Sequence, residues 1–275
     1  PFAPPRINPA GFHNITATTI AIHGMSTYYN TTDGEEAVSS DNSNLNGFSF
    51  SFPVSTHFTV ATGLSPLTRQ SYHLAWHSDT GGESYLKSVE GSGGLNSFYL
   101  SVNVKITSYL SIGASGRYIF GKMKETIEVD YENASFFDSK YTDTRSSSGT
   151  GYTLGFFLTP MNNLAVGGVF TPSVKVNSTS DYYSYSGNEY IDADLNNDGS
   201  ITLPPSFKLG LSYRLSSSVL AALEYGARNW NSLRIDGTAV GNSVHSTKIA
   251  AGAEFFSHEN PAAPYLKKIA YRLGY

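Results

Sequence analysis

The chain has 275 residues, no cysteine, 18 Lys and Arg against 22 Asp and Glu, and a formal charge of −4. Disulfide and thiolate chemistry are excluded, and the basic residues are scattered rather than clustered, which leaves no electrostatic footprint for nucleic acid. No stretch approaches the roughly 18 consecutive apolar residues of a membrane helix, and no segment of any length repeats at the helical period.

What the chain does repeat is an alternation of period two, the signature of strands with one oily and one wet face. In chain order the pattern predicts strands over 15–30, 44–55, 57–76, 84–107, 109–128, 148–160, 163–177, 202–216, 218–231, 246–257 and 265–275. The run 97–107 is the clearest: Phe98, Leu100, Val102, Val104 and Ile106 share one face, and Ser97, Tyr99, Ser101, Asn103, Lys105 and Thr107 the other. Phe48, Phe50, Phe52 and Val54 behave alike in the second strand, Tyr152, Leu154, Phe156 and Leu158 in the sixth, and Phe207, Leu209, Leu211 and Tyr213 in the eighth. Ile269, Tyr271, Leu273 and Tyr275 close the series, and charges fall almost only on the polar face.

Two architectures alternate in this way, a soluble β-sandwich and a membrane barrel. Strand length favours the barrel, because globular strands usually run about five or six residues and a tilted membrane strand needs about nine to eleven. So do the 19 Tyr and 16 Phe, many of them near the ends of apolar runs where interfacial girdles sit. Connections also alternate in length, short at 55–57, 108–109, 161–163 and 216–218, long and polar at 31–43, 77–93, 129–147, 178–201 and 232–245, as at the periplasmic and extracellular ends of an outer-membrane barrel. The expected fold class is therefore all-β, a transmembrane antiparallel β-barrel with eleven or twelve strands present.

Several local motifs resemble the long-chain fatty acid transporter (FadL-like) family of Gram-negative outer-membrane proteins. They are Asn8-Pro9-Ala10-Gly11, similar to the motif of that family's N-terminal hatch, then Gly63-Leu64-Ser65-Pro66 with Arg69-Gln70-Ser71-Tyr72, Glu90-Gly91-Ser92-Gly93-Gly94-Leu95-Asn96, and Leu203-Pro204-Pro205-Ser206-Phe207-Lys208-Leu209-Gly210. The resemblance implies a fourteen-stranded barrel in the outer membrane, a hatch plugging the lumen, and a kink in the third strand that opens the wall sideways for hydrophobic cargo such as fatty acids or hydrocarbons. It divides the chain into a hatch remnant at 1–14 and a barrel at 15–275. Few residues precede Asn8, and the chain stops at Tyr275 where the family pattern supplies about three more strands to reach an even number. A terminal aromatic at Tyr275 argues instead for a closing strand of a twelve-stranded barrel.

The candidate gating and ligand residues are Asn8, Pro9 and Ala10 in the hatch, Gly63 and Pro66 at the kink, and Arg69, Arg117, Lys208 and Arg214 as cations to meet a cargo carboxylate. The alternative for these cations is pairing with lumen acids such as Glu224 or Glu254. Asp194, Asn196, Asp198 and Ser200 match the first half of a calcium loop, although position 12 is Pro205 where a bidentate Glu is needed. No hydrolase elbow, zinc-helix motif or phosphate loop is present, so an enzyme is not expected. The reading is a passive outer-membrane channel with outer-membrane lipid and a hydrophobic small molecule as partners. The alternative is an adaptor barrel that holds a protein partner by its extracellular loops.

Overall fold

The computed structural model describes residues 8–12, 15–32, 37–80, 83–133, 135–187, 189–241, 244–255 and 270–275. Of the expected hatch remnant only 8–12 falls inside that range, and 265–269 of the expected last strand lie outside it. A 3-10 turn at Pro9–Phe12 precedes β1 (Thr19–Thr32), β2 (Ala37–Pro53), β3 (Phe58–Pro66), β4 (Gln70–Thr80), β5 (Glu83–Lys105), β6 (Leu110–Tyr131), β7 (Ser139–Met161) and β8 (Leu164–Thr171). There follow β9 (Val174–Ser186), β10 (Glu189–Leu203), β11 (Ser206–Ser216), β12 (Val219–Asn229), β13 (Arg234–Ile235), β14 (Thr238–Ala239), β15 (His245–Phe255) and β16 (Tyr271–Gly274).

All sixteen strands belong to one antiparallel sheet, with a main path β1-β2-β3-β5-β6-β7-β8-β11-β12-β15-β16 of eleven staves. β4, β9 and β10 prolong three of these staves: β4 continues β3 along β5, β9 continues β8 along β7, and β10 leads into β11. The core of the wall is β5-β6-β7, where Tyr85↔Tyr131 through Lys105↔Ser111 and then Leu110↔Leu158 through Val129↔Ser139 pair without a slip.

Burial is inverted relative to a soluble protein. Ser49, Ser51, Ser97, Ser101, Asn103, Ser111 and Thr153 are buried on the inner face, whereas Phe98, Leu100, Ile112, Leu154, Leu209 and Leu211 are exposed on the outer one. A sandwich would bury the Phe and Leu rows between its sheets, so the soluble alternative fails. Exposed apolar surface on this scale needs a nonaqueous solvent, and the run from Phe98 to Ile106 has the length of about nine to eleven residues that a tilted membrane strand requires. The protein is a transmembrane-type β-barrel.

Two expectations are corrected. Residues 31–43, 77–93, 129–147 and 178–201 are mostly not loops: β1 with β2, β4 with β5, β6 with β7, and β9 with β10 run on as paired hairpins far beyond the apolar band. In these extensions apolar residues such as Leu74, Val89, Ile191 and Leu195 are scattered among polar ones, and the start of β7 at 139–147 is almost wholly polar, so the regular alternation of the membrane band fades, yet backbone pairing does not need it. Second, three staves are interrupted at proline, and each interruption changes which face a side chain occupies. Opposite β5, Pro66↔Asn96 and Gln70↔Gly93 enclose one residue more on the β3–β4 side. Opposite β7, Leu154↔Phe170 and Ser148↔Asn177 enclose one more on the β8–β9 side, at Pro172-Ser173. The third break, at Pro204-Pro205, lies beside the second, and its equal spacing carries the same exchange of faces into β10–β11. Proline lacks the ladder N–H and is confined to such bulges.

Leu211, paired with Leu223 and Val166 in the middle of the outer band, gives a direct check of this assignment. Leu211→Arg should lower stability in a bilayer by about 2–4 kcal/mol, and Ser212→Arg on the inner face by well under half of that, as read by denaturant unfolding in lipid vesicles.

Candidate functional site: the lumen turn and the split in the wall

The 3-10 turn lies against the inner face of β5 through β8. Its fold is local: the Asn8 side-chain Oδ1 accepts from Ala10 N at 2.9 Å, and Gly11 N donates to Asn8 O at 3.0 Å, an Asx-type turn that suits Asn followed by Pro. The wall holds it by two amides. Asn8 Nδ2 donates to Phe156 O at 3.0 Å, and Asn103 Nδ2 donates to Ala10 O at 3.0 Å. Ala10 is 0% and Phe12 1% exposed. The space comes from absent side chains: a Cβ on Gly113 would collide with Pro9 and Ala10, one on Gly155 with Asn8, and one on Gly167 would press on Asn8 at 3.2 Å. Asn103, Gly113 and Gly155 stand opposite one another in a single row across β5, β6 and β7. Sequence reasoning found the turn and missed its seat, although glycine at inward positions of β6, β7 and β8 was the available signal.

The kink expected at Pro66 is a parting of the wall. Pairing of β2 with β3 stops at Phe48↔Leu64, after which β2 pairs only with β1, and β4 only with β5, among the described residues. Leu67 N and Thr68 N both donate to Leu95 O, at 2.8 and 3.2 Å, and Thr68 Oγ1 accepts from Leu95 N, so the turn between β3 and β4 is tied to β5 and leaves β2. Gly94 faces this turn with φ +145°, where a Cβ would collide with Thr68 O. At the foot of the split, a Cβ on Gly63 would meet the Tyr99 hydroxyl at 2.7 Å. Arg69 does not join the lumen cations: its Nη2 reaches the Leu45 carbonyl of β2 at 3.5 Å, across the split.

Arg117 shares an inward row with Tyr99 and Gly151, four residues along β6 from Gly113, or about 13 Å above the seat. Arg228 of β12, which sequence reasoning passed over, is near enough for its charge to act on Arg117, and it lies 5.3 Å over the Trp230 ring. Lys208 and Lys248 flank Gly226 on the same inner face. Among the described residues no carboxylate forms an ion pair with these four cations; Glu254 is taken by Arg272 at 2.9 Å. The Arg214 side chain also points inward, near the short 216–218 connection, and its backbone N–H donates to Asn163 O at 2.7 Å.

In the extended hairpins Asp143, 3.9 Å from Arg145, has its carboxyl pushed up by burial, with Arg145 pulling the other way. The expected calcium loop is strand. Asp194, Asn196, Asp198 and Ser200 lie in β10, whose register shifts between Asp194 and Asn197, with Asn196 at φ 59°. Asp194 accepts from Asn197 and Asp198 from Thr179. Among the described residues no three acidic or histidine side chains converge, and these donors do not fit the cage of six to eight oxygens that calcium takes.

Fold and site together define a transmembrane-type β-barrel with a turn seated in its lumen and a split in its wall. A monoaromatic hydrocarbon channel, CymD, matches with TM-score 0.61 at 13% identity over 97% of this chain and 76% of its own. The toluene transporter TodX of Pseudomonas putida gives 0.56 at 12% over 97% and 76%, and a Pseudomonas aeruginosa FadL homologue 0.56 at 11% over 92% and 71%. At such identities the likeness is one of fold. By sequence the chain belongs to the BamG family, whose model matches residues 6–275; the resemblance to FadL thus holds for the barrel, and the family is a different one. No curated protein matches the sequence.

Asn103→Ala removes the amide that caps Ala10 O and should cost about 1 kcal/mol of stability. Gly155→Val should expel the turn, seen as a rise in single-channel conductance and as new protease cleavage near Asn8 in a barrel that still migrates as folded.

Proposed function

We propose that this protein is a passive channel of the Gram-negative outer membrane, taking small hydrophobic molecules from its lumen sideways into lipid through the split between β2 and β4. The observation that carries the reading is that split: pairing of β2 with β3 ends at Phe48↔Leu64, level with Phe98 at the upper edge of the outer apolar band, where the lumen and the rim of the bilayer meet. A hydrophobic solute that leaves through the wall avoids crossing water, so its transfer cost stays low. Gly63 and Pro66 shape the foot of the opening, Arg69 straps it, and the turn Asn8–Pro9–Ala10 closes the lumen on the side of the short connections. Arg117 and Arg228 supply charge for a cargo carboxylate, and Lys208 and Arg214 extend the positive inner surface. The solved channels that share the fold are described as carrying toluene and other monoaromatic hydrocarbons, which supports a hydrophobic cargo and an activity without chemistry on it.

A second reading is an adaptor barrel whose paired hairpins bind a protein partner. The seated turn and the length of β5, β6 and β7 beyond the band favour it. Vesicle uptake separates the two. A channel raises the entry of both labelled toluene and a labelled fatty acid, whereas an adaptor raises neither. Pro66→Thr should restore ladder pairing at the kink and slow both cargoes severalfold with the barrel still folded. Arg117→Gln should slow the fatty acid and leave toluene unchanged; equal slowing of both would remove Arg117 from carboxylate recognition.

A further inference from the structure

The pairing rows identify a second concave site, on the outside of the wall. Asn96, Phe120, Ser148, Asn177 and Ser200 stand opposite one another across β5, β6, β7, β9 and β10. They lie on the face opposite the one that seats Pro9 and Ala10 at Gly113. Together with Lys122, Lys175 and Arg234 they line a cavity of about 1180 Å³. Its position follows from the outer rows. Below it on β5 are Phe98 and Leu100, on β6 Tyr118 and Ile112, on β7 Tyr152 and Leu154, and these are exposed apolar residues of the band. Lys122 is the first charge on the outer face of β6 after that band, and Lys175 the first on the β8–β9 stave. The pocket therefore begins where hydrocarbon ends, at the depth of lipid headgroups.

Its chemistry is mixed in a particular way. Tyr118 and Phe120 stack at 5.7 Å and 20°, a flat aromatic floor at the lower rim. Hydroxyls of Ser146, Ser148, Thr179 and Thr202 line the middle. Two acids are present and both are engaged, Asp198 accepting from Thr179 Oγ1 and Asp236 from Ser200 N. Arg234 is held by the Asn231 and Leu233 carbonyls, while the Lys122 and Lys175 side chains are exposed to the cavity. Aromatic surface for a sugar ring, hydroxyls for its polar edge, and two lysines for phosphate make up the recognition set of a phosphorylated saccharide. The greasy rows directly below give its acyl chains a wall to lie on.

We infer that this outer pocket binds the phosphorylated sugar headgroup of a glycolipid in the leaflet on the side of the long hairpins. The inference rests on the outer-membrane placement and is independent of transport. The test uses the full chain in detergent with purified lipid A as probe and native mass spectrometry as readout, beside phosphatidylcholine, glucose 6-phosphate and inorganic phosphate. Lipid A should bind in preference to phosphatidylcholine, and K122Q/K175Q should weaken it about tenfold or more, while K122R/K175R retains it and heat-shifted gel migration shows all variants folded. Equal lipid A binding by wild type and K122Q/K175Q would overturn the site. Glucose 6-phosphate or inorganic phosphate binding as tightly as lipid A would overturn the lipid. Toluene uptake by K122Q/K175Q should equal wild type, so a failed channel and a failed lipid site give different results.

Discussion

Backbone hydrogen bonding with no water to fall back on is the constraint on which everything else in this molecule depends. An unpaired N–H or C=O in hydrocarbon costs several kcal/mol, so the wall must be a ladder, and the β5-β6-β7 panel is one, running without a slip from Lys105↔Ser111 to Tyr85↔Tyr131. Given the ladder, side chains have only two directions to take. The outward ones can be Phe, Leu and Ile because lipid receives them, and the inward ones can be Ser, Thr and Asn because they meet a turn, one another or water. Ser101 to Ser115 at 2.9 Å and Thr153 to Thr171 at 3.0 Å are such inner pairs.

Departures from the ladder are where this barrel acquires features. Each is bought with proline or glycine at a place where the neighbouring strand supplies the missing bond. Leu95 O accepts from both Leu67 and Thr68 as β3 turns into β4, which ends the pairing of β3 with β2 at Phe48↔Leu64. The paired breaks at Pro172-Ser173 and Pro204-Pro205 exchange inner and outer faces on two adjacent staves. As a result Val174 and Val176 turn inward to join Leu95 and Ile119 in a small apolar cluster, while Lys175 turns outward. The opening, the cluster and the outer pocket are thus consequences of three bulges.

The alternation of Phe98 to Ile106 was readable in the sequence because lipid and lumen impose opposite chemistries on its two faces. Beyond Gly93 the same strand was ambiguous, assigned both to a strand at 84–107 and to a long connection at 77–93, because Glu83 to Ser92 carry no regular period. Asp194 to Ser200 misled for a related reason. Asx-rich residues suit a bulge as well as a cation loop, and only the pairing with β9 tells the two apart. Asn8 to Gly11 was legible as a motif, yet its seat was not, because Gly113, Gly155 and Gly167 act through side chains they lack. Arg228 was missed since nothing local marks it: its place near Arg117 is made by the course of the sheet from β6 through β7, β8 and β11 to β12.

The way the turn is seated also has a mechanical meaning. Asn8 and Asn103 are its side-chain fastenings, the glycine floor offers no knob to interlock with it, and the ladder behind it contains none of its atoms. Tension applied through the N-terminus would load those two amides in sequence, Asn8 before Asn103. Asn103 also donates to Ile112 O at 3.3 Å across β5 and β6, but the backbone ladder of β5 to β8 uses neither amide, so the turn is built as a detachable part whose removal leaves that ladder standing.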